Sequence, residues 1–172
     1  VGCPYHCEFC DIPVIYGRQP RWKSPARVLR ELDAVYDAGF VGTISFVDDN
    51  LAANRRALHN LLPKLVAWQQ AHGHPYPLSG EASMDLAEDE NSLKQLQAAR
   101  FTHLFVGLES LDHETLKSIS KQHNTRQPTI DSIRAFQSHG IEVMLGVVLG
   151  FDTDSKETGR SISRFIHEAQ TP

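Results

Sequence analysis

The stretch Ala38-Gly39-Phe40-Val41-Gly42-Thr43-Ile44-Ser45-Phe46-Val47-Asp48-Asp49-Asn50 reads as a helix end, a turn, a short strand and an acidic strand end. Before it, Val28, Leu29, Leu32, Val35 and Tyr36 recur at helical spacing, behind Ser24 as N-cap and Pro25 in the first turn. Gly39 suits the left-handed position after a helix, which lets the next apolar residue pack back on it. Thr43 to Val47 is an apolar run of strand length. The same join returns as Ala99-Arg100-Phe101 and His139-Gly140-Ile141, each followed within a few residues by another apolar run. Arg100 departs from the pattern and is expected to weaken its cap.

Working outward, Leu58, Leu61, Leu62, Leu65 and Val66 mark a second helix that runs to about His72. Leu93 and Leu96 lie in a third, and Ile130, Ile133 and Phe136 in a fourth. Ile162, Phe165 and Ile166 lie in a fifth, which Asp154 is expected to cap with Glu157 completing a capping box. Leu78 to Ala82, His103 to Gly107 and Glu142 to Leu149 are strand-length apolar runs between them. The alternation is β-α-β-α, which predicts an α/β fold with a parallel sheet. Such sheets carry their sites at the carboxyl ends of the strands. The residues placed there are Asp48, Asp49 and Asn50, then Glu81 and Ser83, then Glu109 and Ser110, then Gly150 to Asp154.

The 172 residues suit one domain and are short for an eight-unit barrel, which needs about 250. With 41% hydrophobic and 22% charged residues the chain has an ordinary globular composition. A net charge of −4 argues against a broad nucleic-acid footprint, and no nucleic-acid partner is expected. The longest apolar stretch, Val143 to Phe151, is broken by Gly146 and Gly150 and is too short to span a membrane. No signal-like segment opens the chain.

All three cysteines fall in Cys3-Pro4-Tyr5-His6-Cys7-Glu8-Phe9-Cys10, and 162 residues follow without another. A disulfide framework spreads its cysteines along a small secreted chain, so a reducing compartment (the cytoplasm) and a local metal or redox site fit better. Three thiolates on one tight loop can hold three irons of a cubic [4Fe–4S] cluster and leave the fourth without a protein ligand. The competing readings are a zinc site with His6 as fourth ligand, or incidental cysteines. Zinc sites usually come as two spaced pairs, and there is no second pair.

The spacing CxxxCxxC, with an aromatic just before the last cysteine, resembles the radical S-adenosylmethionine enzymes. The resemblance implies a partial (β/α)6 TIM-like barrel of the radical SAM type. It implies a [4Fe–4S] cluster on Cys3, Cys7 and Cys10, with its open iron chelated by the amine and carboxylate of S-adenosylmethionine. One electron then cleaves the sulfonium carbon–sulfur bond, and a 5′-deoxyadenosyl radical abstracts hydrogen from substrate. By position, Phe9 lies beside the adenine, where plain packing is the bland alternative. Asp48 and Asp49 take the place of the family's Gly-Gly-Glu and face the methionine ammonium, or else Asp49 or Asn50 caps the next helix. Glu81 suits ribose hydroxyls and Ser83 the methionine carboxylate, against simple strand-end solvation. Gly107-Leu108-Glu109-Ser110 resembles the family's Gly-Ile-Glu-Ser, whose acid or serine contacts the cofactor. Gly146, Val148 and Gly150 match a motif that lines the adenine side. No residue is assigned a catalytic role beyond these contacts.

Gly2 to Ile12, Phe46 to Asn50 and Val148 to Asp154 together most resemble cobalamin-binding-domain radical S-adenosylmethionine proteins of the hopanoid methylase-like group. That likeness implies methyl transfer to an unactivated carbon of a small, lipid-like substrate, a flavodoxin- or ferredoxin-type reductant, and cobalamin held mainly by a domain outside this chain. The other readings are methylthiotransfer, which needs further cluster cysteines, and a non-catalytic zinc or electron-transfer module. Residues 1–172 are expected to be a core fragment, with the first strand ending before Val1 and the sixth βα unit missing. Two loops are left over. Tyr16 to Lys23 is basic and aromatic and reads as a solvated loop. Lys121-Gln122-His123-Asn124-Thr125-Arg126 is polar, and nothing in the sequence places it relative to the strand ends.

Overall fold

Apolar runs separated by capped helices fold here as a single parallel sheet with its helices on one face. The computed structural model describes residues 1–171. In chain order the elements are α1 (Ile12–Ile15), α2 (Pro25–Asp37), β1 (Ile44–Phe46), α3 (Arg55–Ala71), β2 (Leu78–Ala82), α4 (Glu90–Ala98), β3 (Phe101–Glu109), α5 (His113–Ser118), α6 (Thr129–Ser138), β4 (Glu142–Val147) and α7 (Thr158–Ala169). Short 3-10 turns lie at Met84–Glu88 and Gln122–Thr125. The four strands are parallel and ordered β1-β2-β3-β4.

The register divides the sheet into two faces. Leu78, Ala82, Leu104, Val106, Leu108 and Val143 are buried against leucines of the helices, among them Leu58, Leu62, Leu65, Leu93 and Leu96. Alternate residues point the other way. Ser45, Ser79, His103 and Glu142 stand in register there, followed one layer up by Glu81, Phe105 and Met144, and then by Gly107 and Gly146. Phe105 and Met144 are 43% and 49% exposed, so this concave face is open. Gly146 has a packing reason, because a Cβ there would meet the Phe105 ring at 2.8 Å. The outer edge of β1 pairs with no strand among the described residues. A groove of about 600 Å³ runs along it, walled by Trp22, Val28, Leu32, Val35, Ile44 and Phe46.

The three helix-to-strand joins form as expected. Gly39, Arg100 and Gly140 adopt φ of +71°, +65° and +69°, and each donates its N–H three residues back, at 2.9 Å. Ser24 caps α2 through the Arg27 N–H, with Pro25 behind it. Other local expectations are corrected. Asp154 does not cap the last helix: α7 starts at Thr158, and the Asp154 carboxylate instead accepts from the Gly150 and Phe151 N–H groups, closing a turn after β4. Glu157 occupies the N-cap position but makes no side-chain cap. Neither Asp49 nor Asn50 caps α3. Asn54 does so, because Leu51 and Ala52 turn inward and delay the helix. Neither α1 nor α5 shows a period in the sequence, because α1 is a single four-residue turn and α5 is six residues with one leucine.

Candidate functional site

The chain enters at the carboxyl end of β1, and the cysteine loop lies across the strand ends. Gly2 sits at φ +93°, against the carbonyls of Gly17 and Gln19, and donates its N–H to the Asp49 carboxylate at 2.7 Å. The Asp48 carboxylate lies 3.3 Å from the Val1 backbone nitrogen. The Cys10 N–H turns back on the Cys7 carbonyl, and the Glu8 N–H bonds the Ile119 carbonyl after α5. All three cysteines are free and half-buried. Burial raises the Cys3 and Cys7 thiols, and neighbouring cysteines add to the rise. Three groups work the other way: the Tyr5 backbone and then the Asn50 side chain favour a thiolate at Cys3, and the Lys121 ammonium favours one at Cys7. Soft, crowded thiols with a cation nearby fit an iron–sulfur cluster, whose charge they share. His6 is exposed, and no group of three or more His, Cys, Asp or Glu among the described residues is spaced for a single metal ion.

The expected strand-end residues do gather around this loop, in different states. Glu81 projects onto the concave face, where partial burial and the Asp49 carboxylate raise its own carboxyl. Two carboxylates crowded without a cation between them suit a positively charged ligand group. Phe9 is 47% exposed, with the Lys121 ammonium 5.9 Å from its ring centre. Ser83 is buried, accepts a hydrogen bond from the Asn50 amide at 3.0 Å and donates one to the Asp85 carboxylate. A contact from that hydroxyl to a ligand carboxylate therefore requires giving up Asp85. Glu109 is buried at φ +65° and pairs with Lys121 at 2.6 Å. Gly107 makes room for this pair: a Cβ there would clash with the Glu109 carboxylate and would meet the Lys121 ammonium at 2.8 Å. Ser110 is buried and accepts from the Asp112 N–H at 3.1 Å, a turn role. Beyond β4, the Val148 N–H bonds the Glu109 carbonyl, and Gly150 adopts φ +106° in the turn that Asp154 closes.

The polar loop that the sequence left unplaced is part of the site. Lys121 holds Glu109, and the Asn124 amide donates to the carbonyls of Gly107 and Leu108. The His123 ring stacks on Tyr5, with centroids 3.8 Å apart and 13° between the planes. Burial lowers His123 to about 4, and Lys121 adds to the effect, so the ring is neutral at pH 7. Tyr5 donates to Asp85 at 2.9 Å, and burial together with that carboxylate pushes its hydroxyl up to about 12. Burial opposes charge on Asp85, yet Ser83, Tyr5 and Arg55 together hold it below the usual carboxylate range. Tyr5, Arg55, Asp85, Lys121, His123 and Asn124 were missed in the sequence. The available signal was a lone acid inside the apolar run Met84-Asp85-Leu86-Ala87.

Comparison with known proteins agrees with this geometry. The family model described as "Radical SAM superfamily" matches residues 1–166. Hopanoid C-2 methylase of Rhodopseudomonas palustris is 44% identical over 99% of this chain and 32% of its own length. An uncharacterized methyltransferase of Synechocystis is 40% identical, again over 99% of this chain and 32% of its own length. The chain thus spans about a third of these relatives. The radical S-adenosylmethionine methyltransferase TsrM from Kitasatospora setae, solved with cobalamin and a [4Fe–4S] cluster bound, superposes with a TM-score of 0.84 over 99% of this chain and 33% of that one, at 21% identity. That likeness shows the fold, a (β/α) barrel fragment whose strand ends carry the cysteine loop. With a family model spanning nearly its whole length and two relatives at 40% identity or more, the chain belongs to the radical SAM superfamily.

Proposed function

We propose that this chain is the cofactor-binding core of a radical S-adenosylmethionine methyltransferase that acts on an unactivated carbon of a small, lipid-like molecule. The observation that carries the reading is the meeting of three free cysteines with the acidic strand ends and the Glu109–Lys121 pair on one rim of the sheet. The methylase names of the relatives support the reaction class. The cobalamin in the structural neighbour supports cobalamin as methyl carrier, held mainly outside residues 1–172. The groove along β1 supports a further strand at that edge.

Cys3, Cys7 and Cys10 would hold the [4Fe–4S] cluster. When bound, cluster and S-adenosylmethionine supply one-electron cleavage of a carbon–sulfur bond and so a hydrogen-abstracting radical. Asp48 and Asp49 would serve the ammonium of the methionine end, where opposite charges attract. Glu81, on the concave side, would serve the ribose hydroxyls. Glu109 and Lys121 present one anion and one cation whose charges cancel unless a polar ligand divides them. Gly146, Val148 and Gly150 would offer backbone and apolar surface to the adenine, and the exposed Phe9 ring would add apolar surface beside it. Ser83 and Ser110 serve mainly to hold neighbours in place. Phe105 and Met144 form an exposed apolar patch on the concave face, between the polar row of Ser45, Ser79, His103 and Glu142 and the strand ends, and such a patch suits a hydrocarbon-rich substrate. A flavodoxin- or ferredoxin-type protein would supply the electron, in the cytoplasm. No helix of the described residues is long and apolar enough to cross a membrane.

The test uses the full-length protein, reconstituted anaerobically with iron and sulfide, reduced, and given S-adenosylmethionine. 5′-Deoxyadenosine is expected, and Cys7→Ala is expected to abolish it. No product from the wild type, or an undiminished yield from Cys7→Ala, overturns the radical reading.

A further inference from the structure

From Cys3 to Cys7 the loop makes no backbone hydrogen bond to another element among the described residues. Its neighbours are tied, Gly2 to Asp49 and Glu8 to Ile119, but this middle segment is not. A side-chain hydrogen bond reaches into it and ends on Asp85: the Tyr5 hydroxyl donates to the Asp85 carboxylate at 2.9 Å. Ser83 also donates to Asp85, and accepts in turn from the Asn50 amide at 3.0 Å. Asp85 is 6% exposed and is itself fixed by Arg55, the first residue of α3, whose guanidinium donates to the carboxylate at 3.1 Å and to the Asp85 carbonyl at 2.7 Å.

We propose that Asp85 is the positioning residue of the cysteine loop: through the Tyr5 hydroxyl it holds the Cys3-to-Cys7 segment in the shape that receives the cluster. The inference rests on the cysteines being cluster ligands, as proposed above. The physical case is one of entropy. A loop without backbone pairing regains conformational freedom whenever its ties break. Hydrogen bonds to an ionised acceptor are about twice as strong as neutral ones, so one buried carboxylate shared by three donors is an efficient tie. It also links the loop to two rigid elements, the end of β2 and the start of α3, and such support is what fixes ligand geometry in metal sites. The His123 ring completes the clamp by stacking on the face of Tyr5.

The test compares Asp85→Asn, Tyr5→Phe and the double variant in the full-length protein, with Tyr76→Phe as control. Tyr76 donates a hydroxyl far from the loop, to the Phe40 carbonyl. In iron-free protein, each single variant is expected to raise the alkylation rate of Cys3 and Cys7 about tenfold, the effect of losing one charge-assisted bond. After reconstitution each should retain less iron through desalting, with an altered electron paramagnetic resonance signal of the reduced cluster. The double variant should be little worse than Asp85→Asn, because both changes cut one path. Tyr76→Phe should match the wild type. Wild-type alkylation and iron retention in both single variants, or effects that simply multiply in the double, overturn the inference. Tyr5→Phe keeps the ring and its stack, so it remains a fair test should Asp85→Asn fold poorly. A wild-type protein that takes up no iron overturns the proposed function instead, and alkylation of the iron-free loop then decides this inference alone.

Discussion

The two ends of the same four strands are built differently. At the amino ends the chain turns from helix to strand through Gly39, Arg100 and Gly140, and a charged pair lies open: His103 and Glu142 meet at 3.2 Å with side chains 45% and 52% exposed. At the carboxyl ends Asn50, Ser83, Asp85, Glu109, Lys121, His123 and Asn124 are all below 10% exposed. Burying polar and charged groups is costly unless each is paired. Most of them are paired, to one another and to the cysteine loop. One end closes the chain cheaply, and the other accepts a cost in stability to hold a fixed set of charges. Such local conflict is the mark of a functional site.

The sharpest way to break the contrast is to remove one charge from each end. Lys121→Met leaves the Glu109 carboxylate buried without its cation, and unpaired buried charges cost about 3–5 kcal/mol. His103→Met breaks the open pair at the other end and is expected to cost below about 1 kcal/mol. Urea unfolding of the two variants measures both. Equal losses would show that burial at the carboxyl ends carries no special energetic weight.

The same contrast decides what was legible in the sequence. The cysteines, the acidic strand ends and the alternation of helix and strand are local patterns, and the structure forms them. Lys121, His123 and Asn124 were not placed, because their partners lie in the Tyr5 region and at Gly107 to Glu109, and no period links a polar loop to a strand end. Asp85 hid for a related reason. Its partners Tyr5 and Arg55 are 80 and 30 residues away. Asp154 was misread because an acid before a helix looks like a cap, whereas its carboxylate turns back to Gly150.

A second prediction concerns pH. His123 is held neutral, with its value lowered to about 4 from the ordinary 6.5, by burial first and Lys121 next, against a smaller pull from Asp85. Between those values the unfolded chain binds a proton that the folded chain refuses, so stability falls as pH drops through this window and levels off below about 4. The loss is on the order of 3 kcal/mol. His123→Phe keeps an aromatic ring against Tyr5 and removes the titration. The difference between the two urea-midpoint curves isolates this residue from the other histidines. Parallel curves from pH 7 to 4 would mean that the ring is not held neutral.

The smallest effect belongs to the amino ends. Arg100 occupies the same turn position as Gly39 and Gly140, at φ +65°. A left-handed conformation costs a residue with a Cβ about 1 kcal/mol relative to glycine. Part of that is offset, because the Arg100 guanidinium donates to the His74 carbonyl at 2.7 Å, though in an exposed setting where such a bond is weak. Arg100→Gly is therefore expected to stabilise the fold by roughly 0.5 kcal/mol, and Arg100→Ala, which drops the bond and keeps the strain, to destabilise it slightly. Thermal melts of the two variants separate backbone strain from the side-chain bond. If Arg100→Gly destabilises as much as Arg100→Ala does, the bond to His74 outweighs the strain. Arginine at this turn would then be a working alternative to the glycine used at the other two.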